Sequence, residues 1–192
     1  MRTKGSGQSA LLLLDVIDVL HKFRVPYAII GAFAASFYGV VRTSMDADAM
    51  ISLQHSQANV KQLIGEFRKA VLKTTCRKGD SQDPIGAVIN VEDKFQNRVD
   101  LLMNIQGMTE AVFSRSVEAQ FMNARIHLIG IEDFIAMKIF AGSPKDLSDV
   151  AGVLAVSYDR INLPLLKDLA QKYGKAAKHK LESLLRSYKT PR

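Results

Sequence analysis

The chain has 192 residues, 47% of them hydrophobic, with 26 Lys and Arg against 19 Asp and Glu; this is enough apolar material for one packed domain, or a domain with a small appendage. A formal net charge of +7 favours anionic partners over cationic ones, and a single cysteine, Cys76, excludes an intrachain disulfide and a cysteine-rich zinc site and fits a reducing cytoplasm. The uncharged stretch 25–41 contains Pro26, Gly31 and Gly39 and falls short of the roughly 20 residues a membrane span needs, so no membrane helix is expected.

Residues 1–8 carry little that packs and read as a frayed terminus. Over 9–24, Leu12, Val16, Val19, Leu20 and Phe23 recur at helical spacing with Ser9 available as a cap, and Pro26 ends the pattern. A short apolar strand follows over 27–30, bounded by Gly31, and then a short helix over 32–37 closed by Gly39. The alternation of 45–53 predicts a second strand, 56–70 a helix and 71–76 a third strand. A polar loop covers 77–84, and two neighbouring strands, 85–91 and 98–103, flank a solvated turn containing Glu92 and Asp93. One more strand is expected over 124–128. The pattern then becomes helical over 131–141, 144–157, 163–173 and 175–188. The expected architecture is α/β (α+β): a mixed sheet flanked by helices over 9–130, then a helical C-terminal subdomain over 131–190. Positive charge is concentrated at the end, where 167–192 holds eight basic residues against Asp168 and Glu182. Such a face suits RNA or another anionic partner, or is simply a solvated helix face.

Three features carry chemistry. In Asp46-Ala47-Asp48 the alternation of a strand projects both carboxylates to one side while Ala47 and Ala49 face the other. Two adjacent carboxylates repel, and a shared divalent cation, Mg2+ or Mn2+, removes that penalty. Gly31-Ala32, ending a strand and opening a helix fifteen residues before Asp46, aims backbone N–H groups at whatever lies above the turn, and phosphate is the natural occupant. Arg42, Thr43 and Ser44 could add donors to it. Asp100, fifty-two residues after Asp48, lies in a later strand and supplies a third carboxylate.

These residues resemble the nucleotidyltransferase superfamily that includes DNA polymerase beta and the minimal nucleotidyltransferases. The motif reads Ile30-Gly31-Ala32, thirteen intervening residues, Asp46-Ala47-Asp48, and later Arg98-Val99-Asp100. With Gly39, Arg42 and Thr43 ahead of the aspartates, it looks most like the AbiEii-type toxins of toxin–antitoxin systems, over roughly residues 25–155. Ala32 departs from the pattern, since Gly or Ser is usual there and Ala has no hydroxyl to offer a phosphate. The resemblance implies transfer of a nucleoside monophosphate from a nucleoside triphosphate to a hydroxyl. It makes Asp46, Asp48 and Asp100 the metal ligands and catalytic carboxylates.

Lys138 shares a helical stripe with Ile131, Phe134 and Ile135, and either snorkels at its rim or reaches a triphosphate. Relatives of the toxin group also carry a Lys there, followed by a run matching Lys145-Asp146-Leu147-Ser148-Asp149. Asp146 reads as part of a capping box with Ser143, and Asp149 as a residue that positions Lys138 or substrate. The nucleotide-binding set is therefore Gly31, Ala32, Arg42, Thr43, Ser44, Lys138 and Asp149. The acceptor stays open among RNA, such as a tRNA 3′ end, a protein hydroxyl and an aminoglycoside-like small molecule. The rival expectation is a non-catalytic nucleotide-binding module, or one that pairs with an antitoxin.

Overall fold

The computed structural model describes residues 1–189; Thr190, Pro191 and Arg192, the end of the basic tail, lie outside the described residues. Seven strands form one mixed sheet: β1 Tyr27–Ile29, β2 Asp46–Ile51, β3 Lys73–Lys78, β4 Ile85–Glu92, β5 Arg98–Ile105, β6 Val117–Phe121 and β7 Ala124–Leu128. They run in the order β3-β4-β5-β2-β1-β7-β6. Two pairings are parallel, β2 with β5 and β1 with β7, and the others are antiparallel.

The helices are α1 Ser9–Lys22, α2 Gly31–Phe37, α3 Val60–Lys69, α4 Ala111–Ser114, α5 Ile131–Ala141, α6 Pro144–Ser157, α7 Leu163–Lys172 and α8 Lys175–Lys189. α1 and α3 cover one face of the sheet, where the register aligns Ala47 and Ala49 with Val99 and Leu101, and these with Val91 and Ile89. All six are buried, as are Leu12, Val16, Leu63 and Phe67 on the covering helices. At about 1.5–3 kcal/mol for each large apolar side chain taken out of water, this layer fixes which face of β2 and β5 points away. The carboxylates of Asp46, Asp48 and Asp100 are the consequence, because alternation leaves them on the other side.

α5 is buried nearly all round, through Phe134, Ile135, Ala136 and Ile139, and packs against α6, α7 and α8. A left-handed Gly142 (φ 67) closes it, and Ser143 and Asp146 form a complete capping box that starts α6 with Pro144 in its first turn.

Several expectations need correction. Residues 1–8 do not fray: Thr3 is 6% exposed, and buried Asn97 accepts from Gln8 N at 2.6 Å and donates to Gly5 O at 2.8 Å. Ser9 does not cap α1; its hydroxyl donates to Met45 O at 2.7 Å and accepts from Arg98 N at 3.0 Å, tying the helix to the start of β2 and β5. Helix α3 starts at Val60, later than 56, because Asn59 and Gln62 form its capping box. Arg77 and Lys78 belong to β3 and not to the loop after it. The turn after β4 is not solvated at Asp93, which is 4% exposed and accepts from Phe95 N and Asn97 N, both at 2.9 Å. Strand β6 and helix α4 were not foreseen.

Candidate functional site

Gly31 lies at the turn from β1 into α2 with φ 64, a conformation that L side chains rarely adopt. A Cβ there would sit 2.2 Å from Asp48 Oδ2, so the backbone of this turn lies directly against the Asp48 carboxylate and only glycine fits. The first helical bond of α2 runs from Ala34 N to Ile30 O at 3.4 Å, so the N–H groups of Ala32 and Phe33 come before it. Ala32 itself is buried and adds no polar atom.

Parallel pairing of β2 with β5 puts Asp48 opposite Asp100, and Asp46 opposite Arg98. As a result Asp46, Asp48 and Asp100 each offer a carboxylate oxygen within 4.8 Å of the other two. Burial first, then the charges of Asp46 and Asp100, push Asp48 up to about 6, against the smaller opposite pull of Lys138 and Arg98. Two of the three, Asp46 and Asp100, are also held from behind. Ser44 Oγ donates to Asp46 Oδ1 at 2.6 Å. Asp100 Oδ1 accepts from Asn90 Nδ2 at 2.7 Å and Arg98 Nε at 2.8 Å, while Arg98 Nη2 bonds Oδ2. That hydrogen bond to Asp100 is the main reason the Arg98 guanidinium is held above its ordinary value. Oxygen donors of one sign, converging and repelling, suit a hard divalent cation, so the residues present fit Mg2+ or Mn2+.

Lys138 is 8% exposed, and its ammonium lies 2.6 Å from Asp146 Oδ1 and 2.9 Å from Asp149 Oδ2. Burial alone would raise the Asp146 carboxyl; hydrogen bonds from Lys138 and Ser143 outweigh it and hold it below the usual carboxylate range. Asp146 thus does more than cap α6, as its capping box alone had suggested. Asp149, 3% exposed, also accepts from Arg42 Nη1 at 3.0 Å, while Arg42 Nε is buried without a partner among the described residues. Arg42 and Lys138 are thereby linked through one carboxylate, and Thr43 and Ser44 lie exposed on the loop leading into β2.

Three cavities meet around the carboxylates. One of about 250 Å³ is lined by Gly31, Asp48, Met137, Lys138 and Asp146. A second of about 530 Å³ runs over Asp48, Asp100, Asn90, Arg98 and Lys73. A third of about 490 Å³ lies on the far side of Asp46, between Phe33, Phe37, Phe121, Arg42 and Ser44. Sequence reasoning missed Asn90 and Arg98. Arg98 was legible, two residues before Asp100 on the same strand face; Asn90 required the β4–β5 register.

A mixed sheet with three carboxylates converging beside a glycine turn is the architecture of the nucleotidyltransferase superfamily. Solved structures agree on the fold. The antibiotic-resistance factor ANT(2'')-Ia in solution superposes with a TM-score of 0.60 at 12% identity, over 95% of this chain and 97% of the other. A crystal structure of ANT(2")-Ia with adenylyl-2"-tobramycin gives 0.58 at 12% identity, over 85% of this chain and 97% of the other. An antigenic nucleotidyltransferase-like protein from Paracoccidioides brasiliensis gives 0.52 at 16% identity, over 96% and 95%. None of the curated proteins compared matches the chain. The chain belongs to the family described as nucleotidyltransferase of unknown function (DUF6036), which it matches over residues 12–190. Among the described residues no helix is long and apolar enough to cross a membrane.

Proposed function

We propose that this chain is a metal-dependent nucleotidyltransferase that moves a nucleoside monophosphate from a nucleoside triphosphate to an acceptor hydroxyl. The observation that carries the reading is the parallel β2–β5 register, which brings Asp100 to Asp46 and Asp48 within 4.8 Å beside the Gly31 turn. Asp46, Asp48 and Asp100 would hold the metal, Mg2+ or Mn2+, which when bound supplies neutralisation of charge on the phosphorus oxygens. In the reaction the acceptor oxygen bonds to the α-phosphorus as its bond to the bridging oxygen breaks. Pyrophosphate leaves, and the hydroxyl proton passes to solvent.

The residues of the core, 9–130, and of the helical part, 131–190, divide the work in this reading. From the core, the backbone at Gly31 and Ala32 and the side chain of Thr43 face the phosphates, with Ser44 beside them once its hydroxyl turns from Asp46. From α5, Lys138 supplies a cation to them, held in place by Asp146 and by Asp149, which also orients Arg42. Alignment of the two reactants is the fold's main contribution to rate. A protein or antitoxin partner, or the body of an acceptor RNA away from its reacting end, would meet α7 and α8 through exposed Lys167, Lys172 and Lys175.

The test is transfer of label from each α-labelled nucleoside triphosphate, with Mg2+, to total RNA and to cell lysate. Label that disappears in Asp46→Ala/Asp48→Ala is the expected result. Triphosphate binding without any transfer overturns catalysis in favour of a binding module, a second reading that the missing hydroxyl at Ala32 favours.

A further inference from the structure

Two rows of side chains cross the sheet on the face opposite α1 and α3. Register aligns Asp48, Asp100, Asn90 and Thr75 in one row and Asp46, Arg98, Glu92 and Lys73 in the next. Arg77 follows on the same side of β3, two residues beyond Thr75. From β2 to β3 this is three strand spacings, about 14 Å, and it forms the floor of the cavity of about 530 Å³ that opens beside Asp48 and Asp100. The floor is continuous with the carboxylates through hydrogen bonds: Thr75 Oγ1 donates to Asn90 Oδ1 at 3.4 Å, and Asn90 Nδ2 to Asp100 Oδ1 at 2.7 Å.

The charge on this floor is unevenly committed. With Asp46, Asp48 and Asp100 given to a metal, Lys73, Arg77 and Arg98 face one remaining carboxylate in the cavity lining, Glu92. Lys73 pairs with Glu92 at 3.3 Å and Arg77 with Asp83 at 3.0 Å, with Lys73 and Arg77 side chains 73% and 64% exposed. Exposed pairs of this kind contribute at most about 1 kcal/mol, so either cation can exchange its partner for a phosphate. A cationic acceptor would meet repulsion from the same three side chains.

We infer that this open face of β3, β4 and β5 is the acceptor platform and that it takes a phosphate-bearing acceptor, with Lys73 and Arg77 on its phosphates and its hydroxyl delivered beside Asp100. The inference rests on the transfer reading for the identity of the site, but binding to the platform is measurable without turnover. Asn90 is a positioning residue here, holding Asp100 toward the platform through its amide.

The experiment uses the full chain in Mg2+ with a non-hydrolysable ATP analogue saturating the triphosphate side. Two probes separate the sources of phosphate: a short fluorescein-labelled single-stranded RNA followed by anisotropy, and AMP followed by calorimetry. Wild type is expected to bind at least one of them. Lys73→Glu/Arg77→Glu should weaken that binding about tenfold or more and, for the RNA, flatten the dependence of log K on log salt by about 1.4, as loss of two phosphate contacts on a single strand requires. ATP affinity and Tm should be unchanged. Binding of RNA alone identifies a strand, and binding of AMP a small phosphate ester. Lys73→Gln/Arg77→Gln, which keeps the edge strand uncharged and polar, should weaken binding in the same direction and guards against an effect of reversal on folding. No binding of either probe by wild type, equal binding by the double variants, or a parallel loss of ATP affinity overturns the inference. Transfer to a neutral or cationic acceptor that ignores both variants sinks the platform alone; persistent probe binding with no transfer sinks the transfer reading alone.

Discussion

Asp48→Asn removes a charge that the fold holds against a steep electrostatic gradient. Burial and the neighbouring Asp46 and Asp100 raise Asp48 from 3.8 to about 6. At about 1.4 kcal/mol for each tenfold change, ionising it in the metal-free fold costs about 3 kcal/mol more than in the unfolded chain. Between the two values the folded chain keeps a proton that the unfolded chain has released, so stability falls as pH rises through that window, and above about pH 6 the whole cost is present. Asparagine is neutral throughout. In EDTA near neutral pH the variant should therefore be more stable than wild type by about 1–3 kcal/mol, the lower figure allowing for imperfect bonds to the new amide. The advantage should fade toward about pH 4. Urea unfolding across that pH range measures it. Mg2+ at about a thousand times its Kd should then reverse the order, since wild type gains about 4.1 kcal/mol while the variant, short of a ligand, gains far less. A variant no more stable than wild type in EDTA, with a pH-independent difference, would refute the picture of a strained carboxylate cluster.

Gly31→Ala should lower Tm and abolish the Mg2+-dependent rise in Tm, because its Cβ would lie 2.2 Å from Asp48 Oδ2 at a φ of 64; a thermal melt with and without the ion reads both. Lys138→Ala leaves Asp146 and Asp149 without their shared cation in a buried setting, and is expected to cost about 3–5 kcal/mol in chemical denaturation. The same substitution in an Asp146→Asn/Asp149→Asn background should cost clearly less, and equal losses would show that the ammonium matters only as packing. Asn97→Ala removes the acceptor of Gln8 N and the donor to Gly5 O. It should cost about 1–3 kcal/mol and speed amide exchange at residues 3–9 before the sheet responds; unchanged protection there would mean the segment is held by other contacts.

Period alone made much of this protein legible. The two-residue repeat put Asp46 and Asp48 on one face of β2 and the two alanines on the other, and the helical repeats located α1 and α5 to within a few residues. Glycine at position 31 marked the turn, since only that residue combines φ 64 with contact to a carboxylate. Strand β6 also alternates, from Val117 to Phe121. Yet its hairpin turns at Met122, which adopts φ 51, without the Gly or Asn-Gly pair that usually announces such a turn.

What the sequence by itself determined is therefore local: which residues share a face, where a turn needs glycine, and which carboxylates would repel if they met. Only the tertiary structure decided that they do meet. Asp100 reaches Asp48 through a parallel pairing across an intervening helix and two strands, and its register is set by Leu63, Phe67 and Leu12 packing behind the sheet. The same register put Asn90 and Thr75 in line with Asp100, and the packing of α5 and α6 gave Lys138 its two carboxylate partners. Alternation is a property of neighbouring residues along the chain. Register is a property of the core, which exists only once distant segments have buried their apolar faces together.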